Sequence, residues 1–235
     1  MLKELIDKFY LDRERDKEQH HFYITDAGKC SRAIFFKFKN MPRKKMTPDI
    51  LRMFDHGNYV QMQILNALFG LGIVRASEIN IPPQQLISGR ADAILTLNNE
   101  LYVVDFKSMN SMIFSKLDAA KEENVNQIQL YMHFFKVPKG ILLYVNKNTL
   151  ELKEFTLDYN PALCENLLRD LAALKIKIEK NIVPLRLSEY PENWQCRYCQ
   201  FKEICKITDQ KEVNWETFKK KVQEGESLDF INNNI

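Results

Sequence analysis

No apolar run in this chain of 235 residues approaches the length of a membrane span. The charged segment over residues 1–17 lacks the apolar centre of a secretory signal. Together these gaps argue against a membrane partner and predict an intracellular, cytoplasmic protein. Net charge is scarce as well: 34 Lys and Arg against 31 Asp and Glu leave +3, too little to announce a polyanion binder by bulk charge. There is no internal repeat and no low-complexity tract. The remaining composition, 45% apolar and 28% charged, is that of a soluble globular chain without wholesale disorder. The length allows one substantial core with a small appendage. The reading is a single domain over residues 1–210, with 211–235, polar after Phe218, as a loosely attached tail.

Leu2, Leu5, Ile6 and Phe9 recur at helical spacing and predict an amphipathic first helix to about residue 18. Thr25 or Asp26 is placed to cap a second helix through about Lys39, with Cys30 in its first turn and Asn40-Met41-Pro42 as its stop. A third helix is predicted from Thr47-Pro48 to about Gly70, interrupted by Gly57, a residue that often marks close approach by another element. Strands follow at about 73–81, 86–97 and 100–108, with Pro82-Pro83 between the first two. A helix over about 121–136, strands near 140–146 and 150–157, and a leucine-rich helix over about 161–180 complete the order. That order specifies a mixed α/β sheet with a crossover through the 121–136 helix.

Residues 88–108 organise the chain. They read as two strands joined by a polar turn at Asn98-Asn99. Side chains alternate on a strand, so Leu101, Val103, Asp105 and Lys107 share one face, while Tyr102, Val104 and Phe106 share the other. A carboxylate ending an apolar strand is unfavourable unless compensated, and Asp92 across the hairpin adds like-charge repulsion. A divalent cation would remove both penalties. A surface ion pair between Asp105 and Lys107 on a half-buried hairpin accounts for the same residues without one. Upstream, Lys37, Lys39, Arg43, Lys44 and Lys45 are interleaved with Phe35, Phe36 and Phe38. That composition suits phosphate contacts and base stacking, or equally a solvated helix end.

Five cysteines occur, at positions 30, 164, 196, 199 and 205. The segment holding Cys196, Cys199 and Cys205 is too polar to bury a core of its own. Three thiols so close in an intracellular chain fit metal ligands better than disulfides. Cys30 would complete a set of four and clasp the two ends of the chain together. Four thiolates suit either zinc or an iron–sulfur cluster, and ligand chemistry alone does not separate them. Cys164, within a leucine-rich helix, reads as a buried small apolar residue.

Gly89-Arg90-Ala91-Asp92 followed by Asp105-Phe106-Lys107 resembles the core of the PD-(D/E)-x-K nuclease superfamily. One distant cysteine with a compact triplet, Cys30 with Cys196, Cys199 and Cys205, resembles the RecB-type iron–sulfur exonucleases, which include AddB, exonuclease V and the CRISPR-associated adaptation nucleases. Gln127 and Tyr131, four residues apart on one helix face, resemble the Gln-x3-Tyr motif of the same group. The resemblance spans residues 27–205. It implies a restriction-endonuclease-like fold, a mixed central β-sheet flanked by helices, within a nuclease domain over 1–210. A 4Fe-4S cluster, with zinc as the less favoured occupant, would join the N- and C-terminal segments through the four cysteines. It further implies a metal-dependent DNA nuclease, an exonuclease acting on single-stranded DNA or DNA ends by phosphodiester hydrolysis.

On that resemblance Asp92 and Asp105 bind Mg²⁺ or Mn²⁺, helped by the Phe106 carbonyl and Gln61. Lys107 positions or deprotonates water, and Gln127 and Tyr131 orient Lys107 and the DNA. The partners implied are DNA and a separate helicase, recombination or CRISPR adaptation protein, in the cytoplasm or in a host compartment if the chain is phage-encoded. One position departs from the pattern: the family carries a metal-binding His four residues after a glycine, and here Gly57 is followed by Gln61. His56 lies off that helix face and reads as a surface or DNA-facing residue. Two other readings stand beside the nuclease: a DNA-binding adaptor that keeps the fold with weak or no catalysis, and a zinc-stapled protein-interaction domain.

Overall fold

In the computed structural model, which describes residues 1–13, 18–82, 84, 86–207 and 210–224, helix α1 (Leu2–Arg13) leads through strand β1 (Phe22–Tyr23) and a 3-10 turn (Ile24–Asp26) to α2 (Ser31–Phe38) and the long α3 (Pro48–Gly70). Strands β2 (Val74–Asn80), β3 (Ile87–Ser88), β4 (Arg90–Leu97) and β5 (Glu100–Met109) follow, then α4 (Ser111–Ser115) and α5 (Glu122–Phe135). The chain continues with β6 (Lys139–Asn146), β7 (Leu152–Asp158) and α6 (Pro161–Glu179). The last segments are β8 (Ile182–Val183), α7 (Trp194–Arg197), α8 (Lys202–Cys205), β9 (Val213–Asn214) and α9 (Trp215–Glu224).

Local chemistry accounts for the main elements. Thr47 precedes Pro48 at the start of α3, where a proline's missing N–H is no loss. Asn160 accepts a hydrogen bond from the Leu163 N–H at 3.0 Å and caps α6. Lys136, left-handed at φ 59°, ends α5. Asn98 and Asn99, with φ 49° and 64°, supply the two positive dihedrals that a tight hairpin turn demands between β4 and β5.

The sheet has five strands in the order β2-β4-β5-β6-β7. The β5–β6 pair is parallel and its neighbours are antiparallel, so α4 and α5 form the crossover. One face buries Ala93, Leu95, Val104 and Phe106 against Leu65 of α3. The other buries Val103, Leu142 and Tyr144 against Ile128 and Leu130 of α5 and Leu167 and Leu171 of α6. The result is three layers, helix, sheet and helices, with Asp105 and Lys107 on the α5 side.

A second, smaller core joins the two ends of the chain. Phe35 and Phe36 of α2 are fully buried against Phe201, Trp215 and Phe218, with ring centroids 5.1 Å apart for Phe36 and Phe218 and 5.6 Å for Phe36 and Phe201. Burying one such ring contributes about 1.5–3 kcal/mol.

Three expectations need correction. The second helix begins at Ser31, with Cys30 as its cap residue, because the Asp26 carboxylate is engaged by Gln19 at 2.6 Å and by the Tyr23 N–H at 3.0 Å within the preceding turn. The segment from 211 is not loose where it is described: β9 pairs with β8, and Phe218 is 0% exposed. Finally, Phe35 and Phe36 are core residues, not a stacking surface, while Lys37 pairs with Asp26 at 3.1 Å and Lys39 donates to Asn181 at 2.6 Å. Residues 14–17 of the predicted first helix, Pro83, and tail residues 225–235 lie outside the described residues.

Candidate active site and cysteine pocket

The β4–β5 ladder runs from Leu97↔Glu100 to Ala93↔Val104 and then ends. Beyond it the strands fork at Asp92 and Asp105. The fork frees the Phe106 N–H, which donates to Asp92 Oδ2 at 2.8 Å. In an extended strand a residue's N–H and C=O face the same edge, so the Phe106 carbonyl also points into the fork. Asp105 is 1% exposed. Lys107 Nζ lies 2.6 Å from Asp105 Oδ2 as an ion pair, but off the direction a hydrogen bond needs, so this buried oxygen has no hydrogen-bond donor.

Burial, then the Asp105 charge, pushes Asp92 up to about 7, and burial likewise raises Asp105 against the pull of Lys107. Two carboxyls held unfavourably around a carbonyl, one with an oxygen that no hydrogen bond satisfies, form an all-oxygen donor set that fits a hard divalent cation. That cation would be held by Asp92, Asp105 and the Phe106 carbonyl.

Lys107 also donates to Gln127 Oε1 at 3.0 Å. Gln127 Nε2 lies 3.5 Å from the Tyr131 hydroxyl, which donates to the Arg90 carbonyl at 2.7 Å. The chain of bonds therefore runs from Lys107 across α5 to the strand that carries Asp92. Burial raises the Tyr131 hydroxyl to about 12, so it stays protonated and acts as a fixed donor. Asp92, Asp105, Lys107, Gln127 and Tyr131 are thus brought together.

Gln61 is not among them. Its Nε2 donates to Glu78 Oε1 at 2.6 Å, and Glu78 Oε2 pairs with Arg90 at 2.8 Å. Glu78 stands in register with Asp92 across β2 and β4, between the Ser77↔Ala93 and Ile79↔Ala91 pairs. It adopts a positive φ of 54° within a strand, backbone strain of a kind that collects at functional positions. Sequence reasoning missed Glu78; its signal was an acidic side chain on the strand before the Gly-x-x-Asp segment. His56 is exposed on α3.

The cysteine site lies where α2 meets α7 and α8. Cys30, Cys196, Cys199 and Cys205 line one cavity of about 390 Å³ and all are free thiols. Gln195 ties the two segments by accepting the Cys30 N–H at 2.8 Å. Fully buried Arg32 adds bonds to the Pro184 and Lys211 carbonyls at 2.6 and 3.0 Å. Burial and neighbouring thiols raise Cys196, and burial raises Cys199 to about 11. Burial also raises Cys205, against Arg32. Arg186 borders the same cavity, and its buried Nε has no hydrogen-bond partner.

Among the described residues no three His, Cys, Asp or Glu side chains are gathered as a single-ion site. Four cysteines around one cavity bordered by Arg186 are a thiol donor set that suits zinc or an iron–sulfur cluster alike. Cys164 is buried apart from them in α6.

The sequence model of the PD-(D/E)XK nuclease superfamily matches residues 9–206. The CRISPR-associated exonuclease Cas4 of Saccharolobus solfataricus is 25% identical over 201 residues, 80% of this chain and 89% of that protein. Among solved structures, that of SSO0001 aligns with a TM-score of 0.58 at 22% identity, covering 87% of this chain and 96% of the other. The exonuclease LHK-Exo of Laribacter hongkongensis, in complex with dAMP, aligns at 0.52 and 10% identity over 68% and 88% of the two chains. These structural likenesses establish a shared fold.

Proposed function

The chain belongs to the PD-(D/E)XK nuclease superfamily, and we propose that it is a divalent-metal-dependent DNA exonuclease, Cas4-like, acting on single-stranded DNA or DNA ends. The observation that carries the reading is the fork: Asp92 and the buried Asp105 carboxylate, ion-paired with Lys107, which is held by Gln127. When bound, Mg²⁺ or Mn²⁺ would supply Lewis-acid polarisation of the scissile phosphate and a lowered pKa for water. Asp92 and Asp105 supply the negative charge that retains the cation, and Asp92, raised to about 7, gives up its proton to do so. Lys107 Nζ, fixed by Gln127 Oε1 and Asp105, offers its remaining donor capacity to the attacking water and to the charge growing on the phosphate. Tyr131 anchors the Arg90 carbonyl and so sets the distance from the Asp92 strand to α5. Glu78, in register with Asp92 across β2 and β4, is a positioning residue held by Gln61 of α3 and by Arg90.

The four cysteines would hold a 4Fe-4S cluster whose role is structural, fastening α2 to α7 and α8. Zinc is the less favoured occupant because one distant cysteine with a compact triplet resembles the iron–sulfur nucleases rather than paired Cys-x2-Cys knuckles. Arg32 and Arg186 supply compensating positive charge. Partners of the kind used in CRISPR adaptation, repair or recombination fit the likeness to Cas4.

One observation favours a second reading, an adaptor with weak catalysis: Gln61 spends its amide on Glu78 and faces no carboxylate of the fork. The test is cleavage of end-labelled single-stranded and duplex DNA with Mg²⁺ or Mn²⁺, comparing anaerobically purified protein with Lys107→Ala. Cleavage present in the parent and lost in the variant is the expected result. DNA binding without cleavage in the parent would replace the enzyme with the adaptor.

A further inference from the structure

The loop before α2 connects the two sites. Its Gly28, at φ 73°, sits so close to α5 that an added Cβ would stand 2.4 Å from Asn126 Nδ2. Asn126 precedes Gln127, the acceptor that holds Lys107. On the other side of Gly28, Lys29 and Cys30 border the cysteine cavity. Lys29 Nζ lies 4.7 Å from the centroid of the Trp194 ring, and Trp194 is 49% exposed at the start of α7. Tyr198, 84% exposed, lines the same cavity. An ammonium beside exposed aromatic rings at the mouth of this cavity offers an anion a charge and a base a flat face.

We infer that Lys29 and Trp194 form a platform for the single strand that extends from the fork toward the cysteine pocket, Lys29 contacting a phosphate and Trp194 stacking on an unpaired base. This rests on the nuclease reading above and adds to it the residues that would hold the unpaired strand. A duplex covers the faces of its bases with their neighbours, so a protruding ring meets a base face only on an unpaired strand. Stacking of this kind tolerates any sequence, which suits an enzyme that must advance along a strand.

Trp194 and Trp215 are the chain's two tryptophans, and Trp215 is 9% exposed, so strand binding is readable as quenching of Trp194. The experiment titrates oligothymidylate into the full chain in EDTA, which prevents cleavage, and follows tryptophan emission and affinity. The expected result is saturable quenching by the single strand and none by a duplex of the same length. Trp194→Phe should lose the quench and keep its affinity within about twofold, and Trp194→Ala should weaken binding about tenfold. Lys29→Gln should weaken binding severalfold and reduce the slope of log affinity against log salt by about 0.7.

Absence of quenching in the parent, equal quenching by the duplex, or parental affinity in Lys29→Gln would overturn the platform. The Lys29 and Trp194→Phe variants decide the matter even if Trp194→Ala fails to fold. Cleavage that depends on Lys107 alongside parental affinity in Lys29→Gln overturns the platform and leaves the nuclease standing. Quenching by the single strand without any cleavage does the reverse.

Discussion

Among the described residues, the fork and the cysteine pocket each contain a buried polar atom without a hydrogen-bond partner, and the two atoms have opposite character. At the fork it is an oxygen, Asp105 Oδ2; at the pocket it is a nitrogen, Arg186 Nε. A buried group without a hydrogen bond costs about 1–3 kcal/mol, so each marks a place where an external group of opposite sign would be stabilising. The fork asks for a cation and the pocket for an anion. The scaffolds differ as well. The fork stands on long strands at the centre of the sheet, whereas the pocket is gathered from three short segments held by an aromatic core. The fork should therefore keep its shape when its ligand leaves, and the pocket should not.

The largest effect expected from this contrast is at the pocket. Cys199→Ala should lose most of its soluble yield, because thiolate–metal bonds supply folding free energy on the order of 10 kcal/mol in small metal domains. Urea melts of what remains should show α9 and the α2 segment opening first, and stability equal to the parent would break the clasp. The fork should respond in the opposite sense. Asp105→Asn should abolish cleavage yet raise the stability of the metal-free chain by about 1–3 kcal/mol, since it removes a buried carboxylate whose desolvation and repulsion of Asp92 outweigh its ion pair with Lys107. Chemical denaturation in EDTA measures that gain, and a loss of stability would contradict the account.

A smaller effect concerns pH. Asp92 titrates at about 7 in the folded chain against an ordinary 3.8, so the folded state holds this proton more tightly than the unfolded one. The stability contributed is full below about 4 and is lost as pH rises through about 7. In EDTA the melting temperature of the parent should fall across this window relative to Asp92→Asn, and Mg²⁺ should restore it. Parallel curves for the two proteins would remove Asp92 as the titrating group. The smallest effect belongs to Gln127→Ala, which frees Lys107 on one side. It should lower kcat about tenfold with KM little changed, whereas a purely structural role would lower the melting temperature and leave kcat intact.

Much of the fork was legible because it is local. Alternation on β5 put Asp105 and Lys107 on one face, and two asparagines at the turn placed Asp92 across from them. The helix and strand order followed from periodicity, and α3 was marked by Thr47-Pro48. What escaped reading depended on contacts distant in sequence. Glu78 acquires its role only because β2 lies beside β4 in a register that sets it opposite Asp92. Phe35 and Phe36 looked like stacking residues beside lysines until Trp215 and Phe218 closed over them. The start of α2 was misplaced because Asp26, a good cap by composition, is captured by Gln19 and the Tyr23 N–H. Short β8 and β9 carry too few residues for a pattern, and their pairing turns an apparently polar tail into part of the second core.

The two carboxyls of Asp92 and Asp105, held unfavourably close, mark a cation site, and calorimetric titration of Mn²⁺ into the parent and Asp105→Asn tests this most directly. Such a site predicts saturable binding in the parent that strengthens from about pH 6 to pH 8 as Asp92 releases its proton, with at least a tenfold loss of affinity in the variant. Equal Mn²⁺ affinity in the two proteins, with both folded, would contradict it and leave Asp105 as one half of an ion pair with Lys107.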